Sequence, residues 1–223
     1  MGELNIKSST IEKSLDLAKD FLQKLIGHSV DELGLLFADN VKLWRLKNQI
    51  RNLEKVKKIV DEEGIKLRQV NLKILVPYLD GVSLEDDEIL QDLWANLFTN
   101  YIDTSKNLRV NVYPNILKQL STNEVAILQY MQANGNKIKF RGYNAQKEIE
   151  CSSEELSNLL RLSLIRETLE LSQYGGNVDE STGQWKWDVE EVASGDYYIT
   201  DFGFEFLNAC ERVKQKAERR HNF

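Results

Sequence analysis

Two cysteines, two prolines, two histidines and twelve glycines are all that 223 residues contain of these types. Cys151 and Cys210 are too few for a disulfide framework, so a reducing cytoplasm is the expected setting. So little proline and glycine argues against a loop-rich sandwich and against long disordered linkers. No apolar run approaches the ~18–20 residues that a bilayer span requires. Residues 1–6, Met-Gly-Glu-Leu-Asn-Ile, have no basic n-region, no apolar h-region and no Ser or Thr at the sixth place. Neither a secretory leader nor a myristoyl anchor is expected.

The chemistry-bearing motifs are equally sparse. His28 and His221 are far apart and form no H-x-x-x-H pair, and the two cysteines form no C-x-x-C pair, so no metal and no other cofactor is expected. Some helical ribonucleases place an Arg about five residues before a His. Here those places hold Lys216 and Gln23. There is no nucleophile elbow, Walker lysine or H-E-x-x-H. Gly175-Gly176 lies between strand-like segments and reads as a turn rather than a phosphate cradle. Glu85, Asp86, Asp87 and Glu88 point different ways on a helix and read as N-terminal acids rather than Mg²⁺ ligands. An enzyme is not expected.

What is present is helix, with 42 % apolar and 29 % charged residues and a net charge of −6, the balance of a soluble globular protein. Ser9 or Thr10 can cap a helix with apolar positions Ile11, Leu15, Ala18, Leu22 and Leu25, and Gly27 follows as a stop. Its charges are mixed, which makes attachment to anionic lipid weak. A second helical stretch runs from about Val30 to Glu63 and buries Leu36, Leu43, Leu46, Ile50, Leu53 and Val60 on one face. Around Leu72–Asp80, Pro77 must start a helix or kink one. Ser83 is expected to open the next helix, with Glu85, Asp86 and Asp87 in its first turn. Ile89, Leu90, Leu93, Trp94, Leu97, Phe98 and Tyr101 form so broad an apolar surface that this helix must be central.

Past Pro114 the texture changes. Helices are expected over Ser121–Ala133, Ser152–Arg166 and Phe202–Lys216. Lys137–Phe140, Thr168–Tyr174, Trp185–Val189 and Asp196–Thr200 read as strands, with turns at Gly175-Gly176 and Gly183. Leu156–Ile165 resembles a winged-helix recognition helix and its exit, and Tyr198–Gly203 resembles a wing strand leading into a last helix. The expected fold is mainly α, α+β overall: an N-terminal helical domain, then a winged-helix-like module with a small β-hairpin. The boundaries are 1–28 for an amphipathic helix, 29–120 for the helical domain and 121–223 for the module.

Three stretches carry a family resemblance: Asp39–Asn48 with its Trp44-Arg45 pair, Val70–Pro77, and Ser83-x-Glu85-Asp86-Asp87 followed by Leu90-Gln91-Asp92-Leu93-Trp94. Together they resemble the Abi-alpha (abortive infection alpha) type of bacterial domain. The resemblance implies a part in phage defence and no catalytic residues, with Trp44, Arg45, Asp86, Leu90 and Trp94 as a structural signature.

Charge decides between partners. Lys47, Arg51, Lys55 and Lys58 form a stripe on one helix face with Trp44 at its upstream end. Ten basic and four acidic residues between Lys42 and Lys73 give a local excess of +6. A solvated face is the expected meaning; contact with a phosphate backbone or an acidic partner is the alternative. Residues 121–223 hold twelve basic and seventeen acidic residues, a net −5, and the recognition-like segment carries Glu154, Glu155 and Glu167 against Arg161 and Arg166. That sign repels DNA. Arg212, Lys214, Lys216, Arg219 and Arg220 read as a solvated basic tail. Trp185 and Trp187 face the same side of a strand and either pack the hairpin or, if exposed, mark a partner site. The expected function is non-enzymatic defence through protein contacts, the partner being phage-derived or a second copy. Nucleic-acid regulation through helix 42–58 and membrane association rank below it.

Overall fold

A computed structural model describes residues 13, 16–18, 20–25, 43–140 and 150–212. Its elements are α1 (Leu43–Glu63), α2 (Leu72–Leu84), α3 (Glu88–Ile102), α4 (Tyr113–Leu117), α5 (Thr122–Ala133), β1 (Lys137–Lys139), α6 (Ser153–Arg161), β2 (Ile165–Val178), β3 (Trp185–Ile199) and α7 (Asp201–Cys210). The fold is mixed and mainly helical, with one small antiparallel sheet. The chain divides into two compact units, Met1–Thr122 with Asn208–Phe223, and Asn123–Leu207.

The first unit is built around α3, as its apolar breadth requires. Every residue from Leu90 to Ile102 except Asp92 is buried. α1 contributes Ile50, Leu53, Val56 and Val60 to the core, and the helical segment 20–25 adds Phe21, Leu22 and Leu25. Of the expected first apolar stripe, Ala18, Leu22 and Leu25 are buried, while Ile11, Leu15 and the Gly27 stop lie outside the described residues. Leu36 also lies outside them, as does the side chain of Leu43.

Between α1, α2 and α3 the core is polar at one level. The Asn52 amide donates to the Gln91 carbonyl at 2.7 Å and to the Gln91 side chain at 2.5 Å, and accepts from the Tyr78 hydroxyl at 2.7 Å. Tyr78 also stacks on Phe98 with centroids 4.0 Å apart and meets Trp94 at 6.0 Å and 60°. Its burial pushes the phenol's pKa well above the usual tyrosine range, so it stays a donor. Trp94 lies against Gly81 of α2: a Cβ there would meet the indole ring at 2.5 Å.

Of the two places expected for Pro77 the structure shows the second: it does not start α2 but lies inside it, where it removes the donor that would have met the Lys73 carbonyl. One expectation for this region is corrected. Ser83 does not open a helix. It lies buried in the last turn of α2, its hydroxyl donating to the Asp80 carbonyl at 2.7 Å. The cap of α3 is Asp87, accepting from the Ile89 and Leu90 N–H groups at 2.9 and 3.0 Å, and of the acidic run only Glu88 is in the first turn.

In the second unit, α5, β1, α6, β2, β3 and α7 follow in order, and the sheet runs β1-β3-β2. α6 opens with the reciprocal Ser152–Glu155 capping box. It stops at Arg161, short of the expected Arg166. Ser163 takes a left-handed φ of 58°, and the Leu164 N–H reaches back to the Leu159 carbonyl at 3.0 Å, a helix-ending pattern. β2 and β3 are each longer than expected. The segments Trp185–Val189 and Asp196–Thr200 belong largely to one strand, β3, which ends at Ile199. Gly175-Gly176 is no turn: it lies inside β2 at a register shift between Tyr174 and Asn177, where one extra residue forms a bulge. A Cβ on Gly176 would meet the Trp185 indole nitrogen at 2.7 Å and the Lys186 carbonyl at 2.8 Å. α7 ends at Cys210 rather than Lys216, and residues 213–223 lie outside the described part.

Replacing Gly81 with Ala tests the α2–α3 contact. In an open helix the change favours folding by ~1 kcal/mol. Here the overlap with Trp94 reverses the sign, and urea denaturation should show a loss of about 1–3 kcal/mol.

Candidate functional site

The basic stripe of α1 faces the acidic start of α3. Arg51 pairs with Glu88, and Lys55 reaches both Glu88 and Asp92. Lys58 lies 3.9 Å from Glu62 one turn along, and Lys47 is exposed. Two of the four cations thus lie between helices, where they neutralise carboxylates that also favour the α3 N-terminus. Trp44 occupies the first turn of α1, and its side chain lies outside what is described. Arg45 donates to the Ser83 hydroxyl at 3.0 and 3.1 Å and lies 3.4 Å from Asp80, which also pairs with Lys118. Asp86 is exposed on the α2–α3 connection, whereas Leu90 and Trp94 are core residues. The Trp94 indole N–H is buried and has no acceptor among the described residues.

One cation expected in a solvated tail is elsewhere. Arg212 has a side chain only 9 % exposed, pairs with Glu63, and lies 3.8 Å from Asp103. Its Nη1 donates to Asn100 at 3.0 Å, and Asn100 donates in turn to the Ala209 carbonyl at 2.8 Å. Glu63, Asn100, Asp103 and Arg212 line a cavity of about 620 Å³ together with Lys66 and Lys106. The spacing of 149 residues between Glu63 and Arg212 is why local sequence reading missed the pair.

Both thiols are shifted toward the protonated form. Burial, then the Glu155 charge, pushes Cys151 up to about 11, and burial followed by the Glu211 charge raises Cys210 well above the usual thiol range. Among the described residues no group of three His, Cys, Asp or Glu side chains could hold a metal ion.

The feature that stands out is the β2–β3 hairpin. β1 pairs only with Asp196–Tyr198, so from Leu169 to Ala193 the hairpin is a two-stranded ribbon within its sheet. Cross-strand pairs fix its faces: Leu169 with Ala193, Leu171 with Glu191, Gln173 with Val189, and, beyond the bulge, Val178 with Trp185. Trp187 alternates onto the same side. Leu169, Leu171, Val178, Trp185, Trp187 and Val189 are all between 53 % and 71 % exposed. The opposite face carries Glu170, Glu190, Asp188 and Lys186. The two indoles meet edge to face at 5.9 Å and 76°. The alternative of buried, packing tryptophans is therefore corrected: both rings are open.

The family model described as abortive infection alpha matches residues 40–210. No curated protein and no solved structure matches the chain. Arg212→Met should leave Glu63 and Asp103 unpaired and lower unfolding stability by about 3 kcal/mol. The double variant with Asp103→Asn should recover part of that loss in a denaturation cycle, as coupled neighbours do.

Proposed function

The chain belongs to the abortive infection alpha family, and from that membership we propose that it serves bacterial defence against phage, without catalysis, through contacts with other protein chains. The observation that carries the mechanism is the exposed apolar face of the β2–β3 hairpin. In this reading the second unit is a winged-helix-like module, with α6 in the recognition-helix place and the hairpin as its wing. Its charge suits protein rather than nucleic acid. From Ile165 to Ile199 there are eight acidic and two basic residues, a net −6, and α6 opens on Glu154 and Glu155. Phosphate neutralisation, the main source of affinity for DNA, has few cations to draw on there.

The stripe on α1 ranks below this reading because Arg51 and Lys55 are engaged by Glu88 and Asp92. Membrane action ranks lower still. The apolar stripe of the first helix, Ala18, Leu22 and Leu25, is buried, and no helix among the described residues is long and apolar enough to cross a bilayer. The expected place of action is the cytoplasm.

Plating of phage on a strain lacking the gene, and on that strain carrying the wild-type or a Trp185→Lys/Trp187→Lys copy, tests the proposal. Protection of at least ten-fold is expected from the wild type and its loss from the variant, whose exposed sites keep the circular dichroism unchanged. Equal plating on all three strains removes the defence role. Full protection by the variant removes the hairpin from it. Duplex DNA should show no binding at ~50 mM salt, where phosphate contacts are strongest.

A further inference from the structure

Side chains on the apolar face of the hairpin change in size along the ribbon. Trp185, Trp187 and Val178 stand near the turn, and Leu169, Leu171 and Ala193 near the base. Such a gradient is complementary to itself when reversed. If a second ribbon is laid face to face and end for end about the Gln173–Val189 pair, each tryptophan-bearing tip covers the smaller base of the other. Position 187 then lies over 191, and 185 over 193. Glu191 becomes an acceptor within reach of the opposing Trp187 indole N–H, and Ala193 leaves room for Trp185. We propose that this face joins two copies of the chain, ribbon on ribbon. The inference rests on the hairpin being a contact surface, as argued above.

Charge placement favours a second copy over other occupants. Between Leu169 and Ala193 the apolar face has Glu191 as its one charged paired position, with Glu167 beyond it at the base, while Glu170, Lys186, Asp188 and Glu190 stand on the other face and Asp179 and Glu180 at the turn. A basic partner is drawn to the acidic side, away from the tryptophans. An anionic lipid surface or a nucleic acid finds no Lys or Arg on the apolar face to neutralise its phosphates. A second copy meets an apolar surface, with most acids directed away from the junction. Sheets stack ~10 Å apart, so the outward acids of the two copies are separated by more than a Debye length of ~8 Å and are largely screened. The area is sufficient as well. Two half-exposed tryptophans leave about 250 Å², and the four aliphatic side chains raise the patch to on the order of 600 Å². Two such patches approach the ~1,200 Å² at which specific interfaces begin.

Light scattering of the full chain between ~1 and ~100 µM, at about 150 mM salt, reads the association without phage or any second protein. The expected mass rises from 25.8 kDa toward twice that value. The Trp185→Lys/Trp187→Lys variant should stay monomeric throughout, at least 30-fold weaker. Val189→Cys, at the two-fold level, should cross-link to itself with a short bismaleimide above the wild-type background, and Glu190→Cys, on the opposite face, should not. A wild-type monomer at 100 µM overturns the proposal. So does a dimer indifferent to the tryptophan changes, or one that cross-links equally through Glu190→Cys. Should the wild type be monomeric while phage protection still depends on the tryptophans, self-pairing fails and the contact reading stands with a different protein as the occupant.

Discussion

The helical unit is organised by one buried polar contact, the bond from Asn52 on α1 to Gln91 on α3, closed on its third side by the Tyr78 hydroxyl of α2. Apolar surface alone would let three helices slide along one another; these hydrogen bonds hold a single register, because an unmatched amide in the core costs about 1–3 kcal/mol. Once that level is set, the neighbouring ones follow. Tyr78 stacks on Phe98, Trp94 closes on Gly81, and the acids at the head of α3 come within reach of Arg51 and Lys55. The cationic stripe of α1 is thus in large part a consequence of helix packing.

Periodicity made α3 legible. A run from Leu90 to Tyr101 with apolar residues on more than half its circumference can only be surrounded, and the structure buries it. The α6 start was equally clear, since Ser152 and Glu155 satisfy each other's backbone locally. The start of α3 was harder, because a serine and an aspartate compete for the same capping role within five residues. Ser83 is instead occupied within α2 by the Asp80 carbonyl and by Arg45, 38 residues away on α1. A single sequence carries no sign of that partner. Arg212 was misplaced for the same reason, as it looked like the first of several terminal cations.

The hairpin shows a different limit. Alternation placed Trp185 and Trp187 on one side, yet whether that side was covered depended on strand length and register. Gly175-Gly176, apparently a turn, proved to be a bulge that extends β2 to Val178 and brings Val178 opposite Trp185. A patch expected to be partly internal is instead continuous and open. Most of its acids lie on the opposite face, Glu191 excepted, a separation that composition cannot reveal.

The second unit interrupts the first, since Asn208–Phe223 is grouped with Met1–Thr122. Glu63 therefore leaves the ribosome well before Arg212, with 149 residues of translation between them. At about 5–20 residues per second that interval lasts roughly 7 to 30 s. Throughout it the helical unit holds its acids without their cation, and nascent chains stalled upstream of Arg212 carry α1, α2 and α3 but not the ionic clasp between Arg212 and Glu63.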